Sequence, residues 1–346
     1  MERPYQRVAS IWVPPGLSLS YARVDAPGDE PAPEAGTLDV AVLDMHHGYP
    51  NLGHQSIVET VLNIAHQERQ DRGEGVPGVR VISYDVRGKS AVPGGRASRF
   101  ALVVGSGGPG ALDPRQNDGR SRGSQGILED PSWEAPLFHF FDDVLATPAT
   151  AMFAICHSFG VLVRWSGIAE AFLRSDLKGG KSQGVVGNVL TTETRDHPFF
   201  SGFWNDNGGP EIRVLDSRLY DLLPTGRPGA HFLAFESAGP AAPGDAVTMC
   251  EFARHADGVL PRVWGVNCHP EIGDKGLQRE RLDRMAERGE VTEEWIRERR
   301  DALAAWNESA HHEHSLQRTS AWTFEMPIRA HVGRAMDERR SGRREK

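Results

Sequence analysis

The sequence predicts an α/β fold in which a parallel sheet is covered by helices on both faces. Three observations lead there. Short unbroken apolar runs, such as LDVAVLD from Leu38 and FALVVG over 100–105, have the length and texture of strands buried on both sides. Segments with apolar residues at helical spacing separate those runs. The runs end in turns rich in glycine or polar residues, and this alternation of strand and helix is the pattern of a parallel sheet.

Taken in order, residues 23–37 (RVDAPGDEPAPEAGT) are rich in Pro, Ala, Gly and acids and read as a linker behind an N-terminal arm. In that arm, IWVPPG suggests a short strand. Residues 38–44 form the first core strand, 46–51 a polar turn, and 56–69 a helix with Ile57, Val58, Val61, Leu62 and Ile64 on one side. Strands follow at 79–84 and 100–105. Residues 111–133, rich in Gly, Arg, Ser and Asp, read as a mobile loop. A helix over 137–145, a strand over 149–155 and a helix over 159–173 complete the alternation. From Val185 the strands shorten and turns multiply, which predicts a strand-rich second half of the same domain. Residues 277–346, with acids and bases in near balance, read as a helical extension with a solvated charged face and Ile296, Leu303 and Trp306 turned inward. The expected division is 1–37, 38–276 and 277–346.

Composition narrows the function. The 346 residues carry 39 basic and 47 acidic side chains, and this acidic balance argues against a general nucleic-acid binder. No run of about 18 uncharged apolar residues is present, so no membrane span is expected. The first residues lack the apolar core of a signal peptide. Cys156, Cys250 and Cys268 are irregularly spaced and make neither a disulfide framework nor a zinc site. A reducing, cytoplasmic setting is expected.

Three segments carry chemistry. In ATAMFAICHSFG (149–160) an apolar run stops at Cys156 and a helix begins at once. A nucleophile on so sharp a turn needs small residues two before and two after it, here Ala154 and Ser158. A helix N-terminus and a nearby histidine would supply thiolate near neutrality. Taken alone, Cys156 reads equally well as a small core residue. In VGSGGPG (104–110) glycines at a strand end let the backbone approach a substrate and aim N–H groups at a developing oxyanion, although a tight turn would look the same. In GVNCHPE (265–271) His269 follows an apolar stretch, and Glu271 stands where a carboxylate could hold the imidazole tautomer. A turn histidine beside a solvated acid is the competing reading.

Together, SGGPG, AICHSFG and GVNCHPE resemble, in that order, the three motifs of the class I, triad-type glutamine amidotransferases, among them the glutaminase domain of GMP synthases. The resemblance spans roughly residues 38–275. It implies a flavodoxin-like parallel sheet, with Cys156 as nucleophile, His269 as base and Glu271 as its orienter. It further implies an oxyanion hole from Gly108 and the N–H of His157, with Gly107 and Ser158 close to the substrate. Cys156 would attack the side-chain amide of glutamine, release ammonia and form a glutamyl thioester that water resolves. That chemistry needs no metal or organic cofactor. The family's elbow glycines are replaced by Ala154 and Ser158, and its glutamine four residues after the cysteine is Gly160.

Asp216 and Arg218, after an apolar run, are candidates for the pocket in place of that glutamine, with a structural ion pair as the plainer reading. His46, His47, Asp44 and His54 fit no tight metal site and read as a loop near the site mouth. HHEH at 311–314 reads as a solvated helix surface, and RRSGRREK at the C-terminus as a frayed tail. No acceptor or synthetase domain is visible, so ammonia would pass to a separate partner protein. The expected ligand is glutamine or a related amide or acyl molecule, with neither nucleic acid nor membrane as partner. A Cys-dependent acyltransferase or γ-glutamyl hydrolase on the same fold, or a non-catalytic regulatory subunit, are the alternatives.

Overall fold

A computed structural model of the chain describes residues 19–48, 51–175, 178–289, 291–304 and 310–342. The residues around IWVPPG, Trp306, the side chains of His311 and His312, and residues 343–346 lie outside that description. The elements in order are β1 (Leu19–Val24), β2 (Thr37–Asp44), α1 (Leu52–Arg72), β3 (Gly78–Asp85), α2 (Val86–Lys89), β4 (Phe100–Gly105), α3 (Glu134–Ala146), β5 (Ala151–Ile155), α4 (His157–Ser166) and β6 (Ala169–Leu173). They continue with β7 (Ser182–Leu190), α5 (Thr192–Asp196), α6 (Ser201–Asn207), β8 (Glu211–Arg218), β9 (Tyr220–Pro224), β10 (His231–Gly239), β11 (Ala242–Arg254) and β12 (Pro261–Val266). The helices α7 (Lys275–Glu287), α8 (Glu293–Ala304), α9 (Ala310–Ser320) and α10 (Met326–Gly342) follow.

Ten strands form one sheet in the order β1-β3-β2-β4-β5-β12-β11-β10-β7-β8. From β1 to β12 the neighbours are parallel, and from β12 to β8 they are antiparallel. The five strands β3-β2-β4-β5-β12 keep the flavodoxin-like order 2-1-3-4-5. The sheet is therefore mixed: a flavodoxin-like parallel half is extended by the strand-rich segment the sequence predicts. Strands β6 and β9 pair separately.

Two apolar layers sandwich the sheet. One joins Val40, Val42, Phe153 and Trp264 to Ile57, Val61 and Phe324. The other joins Ala41, Leu43 and Met152 to Phe141, Phe159 and Leu162. Alternate residues of each central strand feed opposite layers, which is why these strands read as unbroken apolar runs rather than as alternation.

Four sequence expectations change. Residues 19–24 are an edge strand, and the stretch read as a linker is fastened to the domain, since Tyr84 Oη donates to Glu30 at 2.9 Å and Arg80 Nη2 donates to Ala32 O at 2.9 Å. The helix expected over 159–173 stops at Ser166, because Gly167 takes a left-handed C-cap (φ 70°) and β6 follows. The loop 111–133 is pinned by the fully buried ion pair Arg87–Glu129 at 2.6 Å. A polar sequence masks that anchor, because one buried carboxylate is enough to tie it down. The C-terminal helices are charged outside yet contribute Phe324, Ile328, Val332 and Met336 to the core, with Ile296 and Leu303 buried as expected.

Trp264 stacks on Phe153 at 5.0 Å, Phe324 tilts onto Phe153 at 5.7 Å, and Trp264 Nε1 donates to Thr323 O at 3.1 Å. Phe324→Ala removes a fully buried ring and is expected to cost about 3–5 kcal/mol, read from urea denaturation. A loss below about 1 kcal/mol would show that the C-terminal helices are dispensable to the core.

Candidate active site

The site is built on the carboxyl ends of three adjacent parallel strands, β4, β5 and β12, where open α/β sheets bind their ligands. Strand β5 ends at Ile155 and α4 begins at His157. Cys156 alone joins them, with φ 49° and ψ −100°. A non-glycine residue is strained there, by about 1–3 kcal/mol, and persists only where its surroundings over-determine it. Cys156 N donates to Val266 O at 2.8 Å, and Gly160 N to Cys156 O at 2.9 Å. Ser158 Oγ accepts from Ile155 N at 2.8 Å and donates to Ile155 O at 3.0 Å, so this hydroxyl is engaged by the elbow itself. The close approach explains Gly105, where a Cβ would stand 2.5 Å from Ser158 Cβ, and Gly265, where a Cβ would strike Phe159.

His269 hangs from the end of β12, its N–H bonded to Leu215 O at 2.8 Å. Its Nδ1 faces Glu271 Oε1 at 2.8 Å, and its ring also hydrogen-bonds Cys156. Glu271 is wholly enclosed, while 13 % of the His269 side chain is exposed, so of this pair the imidazole alone reaches the solvent side. The N-terminus of α1 closes on the carboxylate: a Cβ at Gly53 would lie 2.8 Å from Glu271 Oε1, and that helix end favours negative charge. Burial opposes a charge on His269, but Glu271 and Cys156 outweigh it and hold the imidazole well above its ordinary value. Burial pushes Cys250 and Cys268 upward, and both stay inert thiols near neutrality.

The loop after β4 forms the third wall. Gly107 lies against the imidazole, where a Cβ would stand 2.7 Å from His269 Cε1 and 3.6 Å from Cys156 Cβ. At Gly108 a Cβ would strike Met45 O. Arg87 Nη1 donates to Met45 O at 2.9 Å and to Pro109 O at 2.6 Å, tying this loop to the first one. The His157 ring, kept neutral by burial and by the nearby Arg87, hydrogen-bonds the Gly108 backbone. Behind the loop, Ser106 Oγ accepts from Met45 N at 2.9 Å and lies 3.2 Å from His46 Nδ1, which also meets Asp44 at 2.9 Å. His46, His47 and His54 are thus buried supports rather than a solvated mouth, and among the described residues no metal-ligating group of three forms.

A narrow cleft opens at Cys156 between Gly108, Leu112, Gln125, Tyr220, Arg218 and Asn267. Asn267 Nδ2 is buried without a partner. Arg218 lies 3.0 Å from Asp216 and 2.8 Å from Glu236, the ion pair the sequence suggests, and also faces the thiol pocket. A Cβ at Gly160 would stand 2.5 Å from Leu112 Cδ1, so Leu112 fills the room a longer side chain there would need. Arg87, Leu112, Asn267 and Gly53 escape sequence reading, since each acts through contacts distant in sequence.

No family model and no curated protein matches the chain. Among solved structures, a glutamine amidotransferase from Thermotoga maritima is 12% identical, with 88% of this chain and 98% of that chain covered and a TM-score of 0.47. A glutamine amido transferase from Methylobacillus flagellatus is 14% identical, covering 87% and 94%, with a TM-score of 0.46. A GMP synthase subunit-like protein from Thermoplasma acidophilum is 13% identical, covering 68% and 84%, with a TM-score of 0.39. Strand order gives the chain a flavodoxin-like parallel half, with the three motif segments at the carboxyl ends of β4, β5 and β12.

Limiting iodoacetamide followed by peptide mapping is expected to modify Cys156 well ahead of Cys250 and Cys268; preferential labelling of either of the others would count against the elbow. Gly160→Gln is expected to destabilise the protein by about 1–3 kcal/mol through overpacking against Leu112. Adding Leu112→Ala should recover part of that loss in thermal melts, and the two effects should not simply add.

Proposed function

We propose that the protein is a Cys-dependent amidotransferase-like enzyme that opens a carboxamide, with the side-chain amide of glutamine as the donor, through a thioester on Cys156. The observation that carries the reading is the chain Cys156–His269–Glu271, set on a strained strand-to-helix turn and hydrogen-bonded in sequence. Cys156 Sγ attacks the amide carbon. The developing oxyanion meets the N–H groups of Gly108 and His157 at the start of α4. His269, charged and held by Glu271, gives its proton to the departing nitrogen, and ammonia leaves. Neutral His269 then takes a proton from water, which attacks the thioester, releases glutamate and restores the thiolate–imidazolium pair. Arg218 and the unpartnered Asn267 Nδ2 are the donors placed for the substrate's polar groups, and ammonia passes to a separate acceptor protein.

A second reading is favoured by one observation. Leu112 occupies the room beside Gly160, so the pocket lacks a side chain often used to hold glutamine. An acyl donor other than glutamine, as in a Cys-dependent acyltransferase or a γ-glutamyl hydrolase, would use the same triad.

Steady-state ammonia release from glutamine tests the lead. Cys156→Ala should abolish turnover, His269→Ala should be nearly as severe, and Glu271→Gln should lower kcat by about 10²–10⁴-fold. Normal turnover by His269→Ala would place the base elsewhere. No release by the wild type, with Cys156 still alkylated, would favour the second reading.

The charged imidazole also sets a pH limb. Because the folded state raises the pKa of His269, the acid form persists above its ordinary value near 6.5 and is lost as pH rises through the folded value. Amide cleavage should therefore fall on the alkaline side, and Glu271→Gln should move that limb to lower pH.

A further inference from the structure

Around Cys156 most backbone N–H groups are already engaged, and those that remain lie on two neighbouring loops. At the elbow, Cys156 N donates to Val266 O at 2.8 Å and Ser158 N to Ser106 O at 3.2 Å, which leaves the N–H of His157. In the loop after β4, Ser106 N donates to Leu43 O at 3.0 Å, Pro109 has no N–H, and Gly110 N donates to Gln125 Oε1 at 2.9 Å. That leaves the N–H groups of Gly107 and Gly108. The two loops follow adjacent strands, β4 and β5. An anion hole built from both is only as well defined as the tie between them.

The His157 side chain is such a tie. It is 2% exposed, and its ring hydrogen-bonds the Gly108 backbone. That bond favours the charged ring, which marks its partner as an acceptor, the Gly108 carbonyl. Among the described residues Nε2 is buried without a partner, so the donor is Nδ1–H. Burial and the nearby Arg87, His46 and His47 keep the ring neutral, which matches a bare Nε2. An apolar side chain of this size would leave no buried polar atom unmet. The bond to Gly108 is therefore what an imidazole adds at this position.

The rest of the loop is fixed from other sides. Ser106 Oγ donates to Gly107 O at 3.0 Å, and Arg87 Nη1 donates to Pro109 O at 2.6 Å. The Gly108 carbonyl between them falls to His157. One residue thus offers an N–H from its backbone and holds, through its ring, the residue that offers another.

We propose that the His157 side chain is a positioning group: its Nδ1–H holds the Gly108 carbonyl and so sets how the N–H groups of Gly108 and His157 converge on a tetrahedral oxygen at Cys156. This rests on the anion hole of the proposed function and gives the ring a role separate from that of the backbone N–H.

A reversible aldehyde adduct tests the proposal without turnover, so no outcome depends on glutamine being the donor. When propanal adds to Cys156, the S–C bond forms, the carbonyl π bond opens and the thiol proton ends on the oxygen. The product is a tetrahedral hemithioacetal whose oxygen takes the place of the oxyanion. Its affinity is read on the full-length protein as protection of Cys156 from iodoacetamide, located by peptide mapping. Alkylation without aldehyde is a displacement that develops no oxyanion, so its rate reports the thiol and the fold but not the hole. His157→Leu is expected to weaken propanal by at least about tenfold, with the alkylation rate unchanged. His157→Asn places an amide N–H close to where Nδ1 stood and should recover most of the affinity. His157→Gln, whose amide reaches the Nε2 side instead, should behave like His157→Leu and replaces it if that protein does not fold. Undiminished protection in folded His157→Leu or His157→Gln would overturn the proposal and leave the elbow and triad standing. So would equal losses in the Asn and Gln variants, or a fall in alkylation rate that matches the fall in protection, the mark of a merely structural role. A wild-type Cys156 that propanal does not protect would remove the anion hole itself, and the proposal with it.

Discussion

One residue, forced into a conformation its side chain disfavours, organises the rest of this site. Cys156 turns the chain from β5 into α4 within a single residue. That turn is possible only because Gly105 and Gly265 leave room for Ser158 and Phe159, and because Ser158 closes hydrogen bonds on both sides of Ile155. The strain is held by the sheet, whose neighbouring strands β4 and β12 carry the Gly107–Gly108 loop and His269. Relaxing the elbow would withdraw the thiol from His269 and the start of α4 from Gly108 together, so both arrangements share one structural origin.

A second hub works from behind. Arg87 reaches the loop after β2 at Met45, the loop after β4 at Pro109 and the covering segment at Glu129. Removing one partner of such an enclosed pair leaves the other charge uncompensated, which is far worse than never having had the pair. Three polypeptide segments distant in sequence are thereby locked to one guanidinium. The covering segment, with Leu112, Gln125 and nearby Tyr220, narrows the cleft at the thiol.

Much of the parallel half was legible in the sequence because strands buried on both faces have no polar alternation, and their apolar runs announce themselves. The three strand-end motifs were legible for a related reason: close packing restricts them to small residues, and chemistry restricts the rest. What stayed hidden depends on tertiary partners. Nothing in a segment rich in Pro and acids tells that Glu30 will meet Tyr84, nor does a Gly/Arg/Ser loop show that Glu129 will find Arg87. The helix beyond Ser166 was over-extended because β6 continues its apolar character, and only the left-handed Gly167 separates them. Leu112 against Gly160 was invisible, since a missing side chain does not reveal which neighbour fills its place.

The position of β12 has a consequence for how the chain is made. Among the described residues it is the last strand in sequence, yet it lies inside the sheet, between β5 and β11. Until residues 261–266 emerge, both of those neighbours keep an unpaired edge, the kind of surface that invites mispairing. His269 and Glu271 arrive on the same segment. During synthesis Cys156 therefore precedes His269 by more than a hundred residues, and the two side chains meet only when the central gap in the sheet is closed.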